Sequence, residues 1–98
     1  MHVISRKTLS EFWKTHSDAE QPLKSWFKEA VASMWSSPAD IKDKYNSASF
    51  LGNNRVVFNI CGNKYRLIVF VKYEFKTVFI RFMGTHADYD KIKEVEKI

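Results

Sequence analysis

Between Arg55 and Met83 the chain alternates apolar and polar residues with a period of two, in three runs: Arg55–Cys61, Lys64–Tyr73 and Thr77–Met83. That period is the signature of β-strands. The first half carries the other period. Leu9, Phe12, Trp13 and His16 fall at i, i+3, i+4 and i+7 behind Ser5, a helix-capping residue. Leu23, Trp26, Phe27, Ala30, Val31 and Met34 form a second apolar stripe, with Lys24, Lys28 and Glu29 away from it. Ser17 and Glu20 have capping-box spacing, and Pro22 suits a first helical turn. Ser36-Ser37-Pro38 ends that helix and opens a short helical turn over Ala39–Tyr45. Asn46 to Asn54 reads as a polar loop anchored by Phe50 and Leu51, Val3-Ile4 as a short first strand, and Ala87 to Ile98 as a helical tail. The pattern predicts an α+β fold: an N-terminal strand and two antiparallel helices packed on one face of an antiparallel sheet, with a short C-terminal helix. One domain over residues 1–98 is expected.

Gly62-Asn63 is a two-residue hairpin signal, Gly supplying positive φ at the first central position. This turn sets Cys61 opposite Lys64, Asn59 opposite Arg66 and Val57 opposite Ile68. An even-length second connection sets Arg81 opposite Ile68, diagonal to Arg66. One face then holds Val56, Phe58, Ile60, Tyr65, Leu67, Val69, Val71, Val78, Ile80 and Phe82, and should take the helices. The other mixes Arg55, Asn59, Lys64, Arg66 and Arg81 with Val57, Ile68, Phe70, Phe79 and Met83. Unpaired buried cations would cost several kcal/mol each, so this second face is expected to meet water or an anion.

After the last strand, Gly84 is followed by Thr85, His86, Asp88, Tyr89 and Asp90, five polar side chains within six residues. Placed over the cationic face, His86 suits proton transfer near neutrality, and Tyr89 suits proton donation or base stacking. Arg66 and Arg81 suit a phosphate, with Lys64 as a point charge. These are the parts for cleaving RNA through the ribose 2′-hydroxyl. The plainer readings give Asp90 to a helix cap, Asp88 to solvent, and His2 and His16 to structure or surface. A metal site on His86, Asp88 and Asp90 lacks further ligands at a recognisable spacing, and with only three glycines no phosphate-binding loop is present. No metal or cofactor is expected. The net charge of +5 suits a phosphate-rich or acidic partner. The single Cys61 rules out an internal disulfide and favours a reducing compartment, and neither a signal peptide nor a membrane span is visible. A cytoplasmic protein without membrane contact is expected.

The element order, together with Arg55-Val-Val-Phe-Asn-Ile-Cys-Gly-Asn-Lys-Tyr-Arg-Leu67, Phe79-Ile80-Arg81 and Thr85-His86-x-x-Tyr89-Asp90, resembles the HigB-type toxins of bacterial toxin–antitoxin systems, within the RelE-like superfamily. The resemblance implies an mRNA interferase, an endoribonuclease cutting mRNA on the ribosome. It also implies a HigA-type antitoxin with a helix-turn-helix, DNA being met only through that antitoxin. Carried over onto matching positions, Arg66, Arg81, His86 and Tyr89 would be catalytic, and Arg55, Asn59 and Lys64 would hold RNA. The chain departs from the RelE pattern in having Gly84-Thr85-His86 where a Lys/Arg-rich segment follows the last strand. The alternative class is a non-catalytic toxin or binding module of the same scaffold, such as a gyrase inhibitor.

Overall fold

The computed structural model describes residues 1–98. Strand β1 (His2–Ile4) leads through Ser5 into helix α1 (Arg6–Thr15), and the Ser5 hydroxyl accepts from the Lys7 amide at 3.2 Å. Leu9 is the fully buried residue of this helix. A 3-10 turn at Ser17–Ala19 precedes helix α2 (Glu20–Ala32), whose N-cap is Ala19 without a side-chain bond. The capping box expected at Ser17 and Glu20 is therefore not formed. On α2 only Leu23, Trp26 and Ala30 are buried. Val31 and Met34 point outward, 49% and 70% exposed, because the helix ends at Ala32 and the stripe turns away from the sheet. Helix α3 (Pro38–Lys44) begins at its proline as the sequence predicts. The loop that follows contains an unforeseen strand, β2 (Ser49–Phe50).

Strands β3 (Arg55–Ile60), β4 (Tyr65–Lys72) and β5 (Thr77–Thr85) form the expected meander. The whole sheet has five strands in the order β1-β5-β4-β3-β2, antiparallel except for the parallel β1–β5 pair. In the first hairpin Asn59 pairs with Arg66 and Val57 with Ile68, as the Gly62-Asn63 turn requires. The Lys64 amide closes that turn on the Cys61 carbonyl at 3.3 Å, with φ of +67° at Gly62. Cys61 and Lys64 do not pair in the ladder, which ends at Ile60–Tyr65.

The second hairpin departs from expectation. Ile68 pairs with Phe82, but Val69 pairs with Ile80, so Arg81 is an extra residue on β5. This bulge reverses the alternation beyond it. Met83, paired with Leu67, packs against the helix-covered core, whereas Phe82, paired with Ile68, turns to the opposite face. Both side chains stand on the face opposite to the one that simple alternation assigns. Gly84 completes the arrangement: a Cβ there would lie 2.5 Å from Cζ of the Phe82 ring. Glycine leaves the ring room to lie flat along the strand.

One face of the sheet carries Val56, Phe58, Ile60, Tyr65, Leu67, Val69, Val71 and Val78 into a core shared with Leu9, Leu23, Trp26 and Ala30. Trp26, Trp35 and Tyr45 gather around the Phe58 ring at centroid distances of 5.4, 6.3 and 5.1 Å. The other face is not fully open. The chain leaves β5 through a single-turn helix, α4 (His86–Asp90), and a 3-10 turn at Val95–Lys97. It ends with Arg55 Nε donating to the Ile98 backbone oxygen at 3.1 Å and Asn53 Nδ2 donating to Glu96 at 3.2 Å. Since α4 starts beside Arg66 and Ile98 lies at Arg55, this tail crosses the sheet from one end of β4 to the other. Val57 and Ile68 are buried, 3% and 0% exposed, on this face that no long helix covers. No helix is long and apolar enough to cross a membrane.

Candidate functional site

The expected site residues separate into three places. The first gathers around the start of α4. Thr85 is its cap, accepting from the Asp88 amide at 3.1 Å, so Asp90 is not a cap. The His86 amide donates to the Lys64 carbonyl at 3.2 Å, which ties α4 to the β3–β4 turn. Asp90 lies one turn after His86, and its Oδ2 is 2.9 Å from His86 Nδ1, both side chains being half exposed. A carboxylate at Nδ1 favours the tautomer with its proton there and leaves Nε2 free to take one. Sequence reading set Asp90 aside, although the i, i+4 spacing within a helix was the available signal.

Arg66 belongs to the same place. It pairs with Gly84 across β4–β5, and its guanidinium stands 6.0 Å from the centre of the Tyr89 ring. Nη1 donates to the carbonyls of Asn63 and Tyr65 at 3.0 and 3.2 Å. The two bonds use one nitrogen and fix the plane of the group, leaving Nε and Nη2 without partners. Those two N–H groups form the edge that binds a phosphate bidentately. Arg66 and Tyr89 therefore lie side by side, with His86 and Asp90 on the same short helix.

Lys64 does not join them. It is bonded to Asp18, in the turn between α1 and α2, and so reaches toward the helix side of the sheet. Tyr65 donates to the other oxygen of the same carboxylate at 2.5 Å. The hydrogen bonds from Lys64 and then Tyr65 hold the Asp18 carboxyl below its ordinary value, and Asp18 in turn raises the Lys64 ammonium and the Tyr65 phenol. The expectation that Lys64 shares the cationic face with Arg66 fails because the turn ends the alternation at Tyr65. Asn59 keeps its predicted register but lies toward the sheet edge, where Nδ2 donates to the Ser47 carbonyl at 3.4 Å.

Arg55 and Arg81 occupy the third place, at the other end of β4. The bulge puts Arg81 between the Ile68 and Val69 levels instead of opposite Ile68. Its guanidinium stands 5.7 Å from the centre of the Phe70 ring and 5.5 Å from that of Phe79. Arg55 stands 4.5 Å over Phe70 and is bonded to the tail. Arg81 and Arg66 thus face different aromatic partners and do not form one clamp.

A five-stranded sheet with two helices on one face and a short C-terminal helix beside a basic, partly open face is the architecture of the RelE-like class. The family model for the HigB toxin, the RelE-like toxic component of a toxin–antitoxin system, matches residues 19–92, well over half of the sequence. The chain belongs to the HigB toxin family. It is 26% identical over 94 residues to an mRNA interferase HigB of Escherichia coli O6:H1, covering 94% of this chain and 91% of that protein. It is also 24% identical over 99 residues to the mRNA interferase toxin HigB of Escherichia coli K12, covering 99% of this chain and 95% of that one.

Proposed function

We propose that this toxin is an mRNA interferase, a metal-free endoribonuclease that cuts messenger RNA on the ribosome through Arg66, His86 and Tyr89. The observation that carries the reading is that Arg66, with an unbonded edge, stands at the Tyr89 ring, while His86, oriented by Asp90, sits on the same short helix α4 as Tyr89. The names of the relatives point the same way.

In this reading His86 Nε2 takes the proton of a ribose 2′-hydroxyl, and Asp90 stabilises the imidazolium that forms. The 2′-oxygen attacks the adjacent phosphorus, the bond to the 5′-oxygen breaks, and a 2′,3′-cyclic phosphate is left. Tyr89 hands its phenolic proton to the departing 5′-oxygen, while Nε and Nη2 of Arg66 hold the charge that develops on the phosphate. Arg55 and Asn59 lie farther out and serve RNA binding; Lys64, held by Asp18 on the helix side of the sheet, stands outside the reacting cluster. A cognate HigA-type antitoxin with a helix-turn-helix silences the toxin, which acts in the cytoplasm.

The test is induction of wild type, Arg66→Ala and His86→Ala in cells, with transcript 5′ ends mapped. Wild type is expected to arrest growth and create new 5′-hydroxyl ends, and both variants to do neither while remaining folded. Growth arrest with intact transcripts and stalled replication would instead establish the non-catalytic, gyrase-type toxin.

A further inference from the structure

At the end of β4 remote from His86, Phe70 and Phe79 are direct cross-strand partners with rings stacked at 5.9 Å and 23°. Neither is buried, although Val69, Val71 and Val78 beside them in sequence are fully so. Arg55 and Arg81 stand over this pair from two sides. Arg81 is exposed, carries no hydrogen bond, and none of the ion pairs in the molecule involves an arginine. Burial and the charge of Arg81 push the Arg55 guanidinium down from its ordinary value. Arg55 is satisfied by the Asn53 carbonyl and the Ile98 oxygen, whereas Arg81 beside it has no partner, which leaves the Arg81 guanidinium available to an anion.

The bulge is what creates the juxtaposition. Without the extra residue, Arg81 would stand opposite Ile68; with it, the guanidinium reaches back over both phenylalanines. Partly exposed aromatic rings beside two guanidiniums, that of Arg81 without a partner, supply both parts of single-strand recognition, a π-surface for a base and a cation for the backbone. The geometry points to Phe70, Phe79, Arg55 and Arg81 forming a binding subsite for single-stranded RNA, distinct from the Arg66–His86–Tyr89 cluster. A base packs on the phenylalanine pair, Arg81 meets the adjoining phosphate, and Arg55 stays fixed to the tail. Phe70 lies four positions along β4 from Arg66, about 13 Å, so one RNA strand continuing from the reacting phosphate reaches both. The subsite rests on the RNA reading above and makes Arg81 a binding residue, not a member of the reacting centre.

The experiment uses the full chain and a fluorescein-labelled 2′-O-methyl oligoribonucleotide, which cannot be cut because it lacks the 2′-hydroxyl nucleophile. Fluorescence anisotropy is expected to show binding by wild type, weakened about five- to thirty-fold by Arg81→Gln and by Phe79→Leu. The log–log salt slope should fall by about 0.7 for Arg81→Gln. Lys14→Gln, on the exposed side of α1, removes an equal charge and should bind as wild type does. In cleavage assays Arg81→Gln should raise KM and keep kcat. No binding by wild type, equal binding by all variants, or equal weakening by Lys14→Gln overturns the subsite. A fall in kcat at constant KM also overturns it, since Arg81 would then act on the reacting phosphate. Arg81 is solvent-exposed, so its variant carries the test even if Phe79→Leu unfolds. If the oligonucleotide binds with these sensitivities while wild type cuts no transcript in cells, the cleavage reading fails and the subsite stands.

Discussion

The two faces of the sheet use the same three long strands for opposite ends. Toward the helices, Leu67, Val69, Val71 and Val78 are fully buried with Leu9 and Leu23, and no charged side chain is among the buried residues. Toward the tail, Val57 and Ile68 are buried, but Arg55, Arg66 and Arg81 stand around them among partly buried rings. The first face stabilises the fold by removing apolar surface from water. The second ties Arg55 and Arg66 to backbone oxygens and leaves Arg81 and one edge of Arg66 without protein partners. Substitutions on one face should therefore be felt in stability, and on the other in function.

The sharpest break in that division would come from His86→Ala. On the proposed cleavage reading the variant should lose about 10² to 10⁴ in cleavage rate, with thermal unfolding unchanged because the side chain is half exposed. On the opposite face Leu67→Ala should cost about 2–5 kcal/mol in chemical denaturation through loss of buried surface and the cavity left behind. Were Leu67→Ala to leave stability intact, the helix-covered core would be wrongly placed.

Gly84→Ala probes the boundary between the faces. Its new Cβ must displace the Phe82 ring, which should cost about 1–3 kcal/mol and, by shifting the start of α4, lower cleavage as well. An effect on stability alone would mean that α4 is positioned independently of that ring.

The smallest effect belongs to Asp18→Asn. The folded Asp18 carboxyl is held below its ordinary value of 3.8, so its ion pair stabilises the fold above that value and loses its contribution as pH falls through the lower, folded value. The melting-temperature difference between wild type and Asp18→Asn should thus be present at pH 7 and disappear in strong acid. A difference that persists there would have to come from packing.

Much of the fold was legible because periodicity is a local property. The stripe at Leu9 and Leu23, the cap at Ser5, the Gly62-Asn63 turn and the three long strands all depend on residues near one another in sequence. Strand β2 was not, since Ser49-Phe50 is too short to show a period. Arg66 stands beside Tyr89 because the hairpin register places Arg66 at the level where β5 ends and α4 begins. The His86–Asp90 pair was readable from spacing but lost to the competing idea of a cap.

By itself the sequence determined the order of the elements other than β2, the apolar helix-facing set up to Ile80, and the presence of arginines on the opposite face. Tertiary structure decided how those arginines are divided. Alternation tells which residues share a face only while the strands pair without interruption, and the extra residue at Arg81 is defined by its partners Ile68 and Val69 on another strand. Likewise, only the folded chain brings Asp18 to Lys64 and Ile98 to Arg55, contacts between residues more than forty positions apart. Such contacts depend on how the helices and tail dock on the sheet, a property of the whole packing that no local pattern encodes.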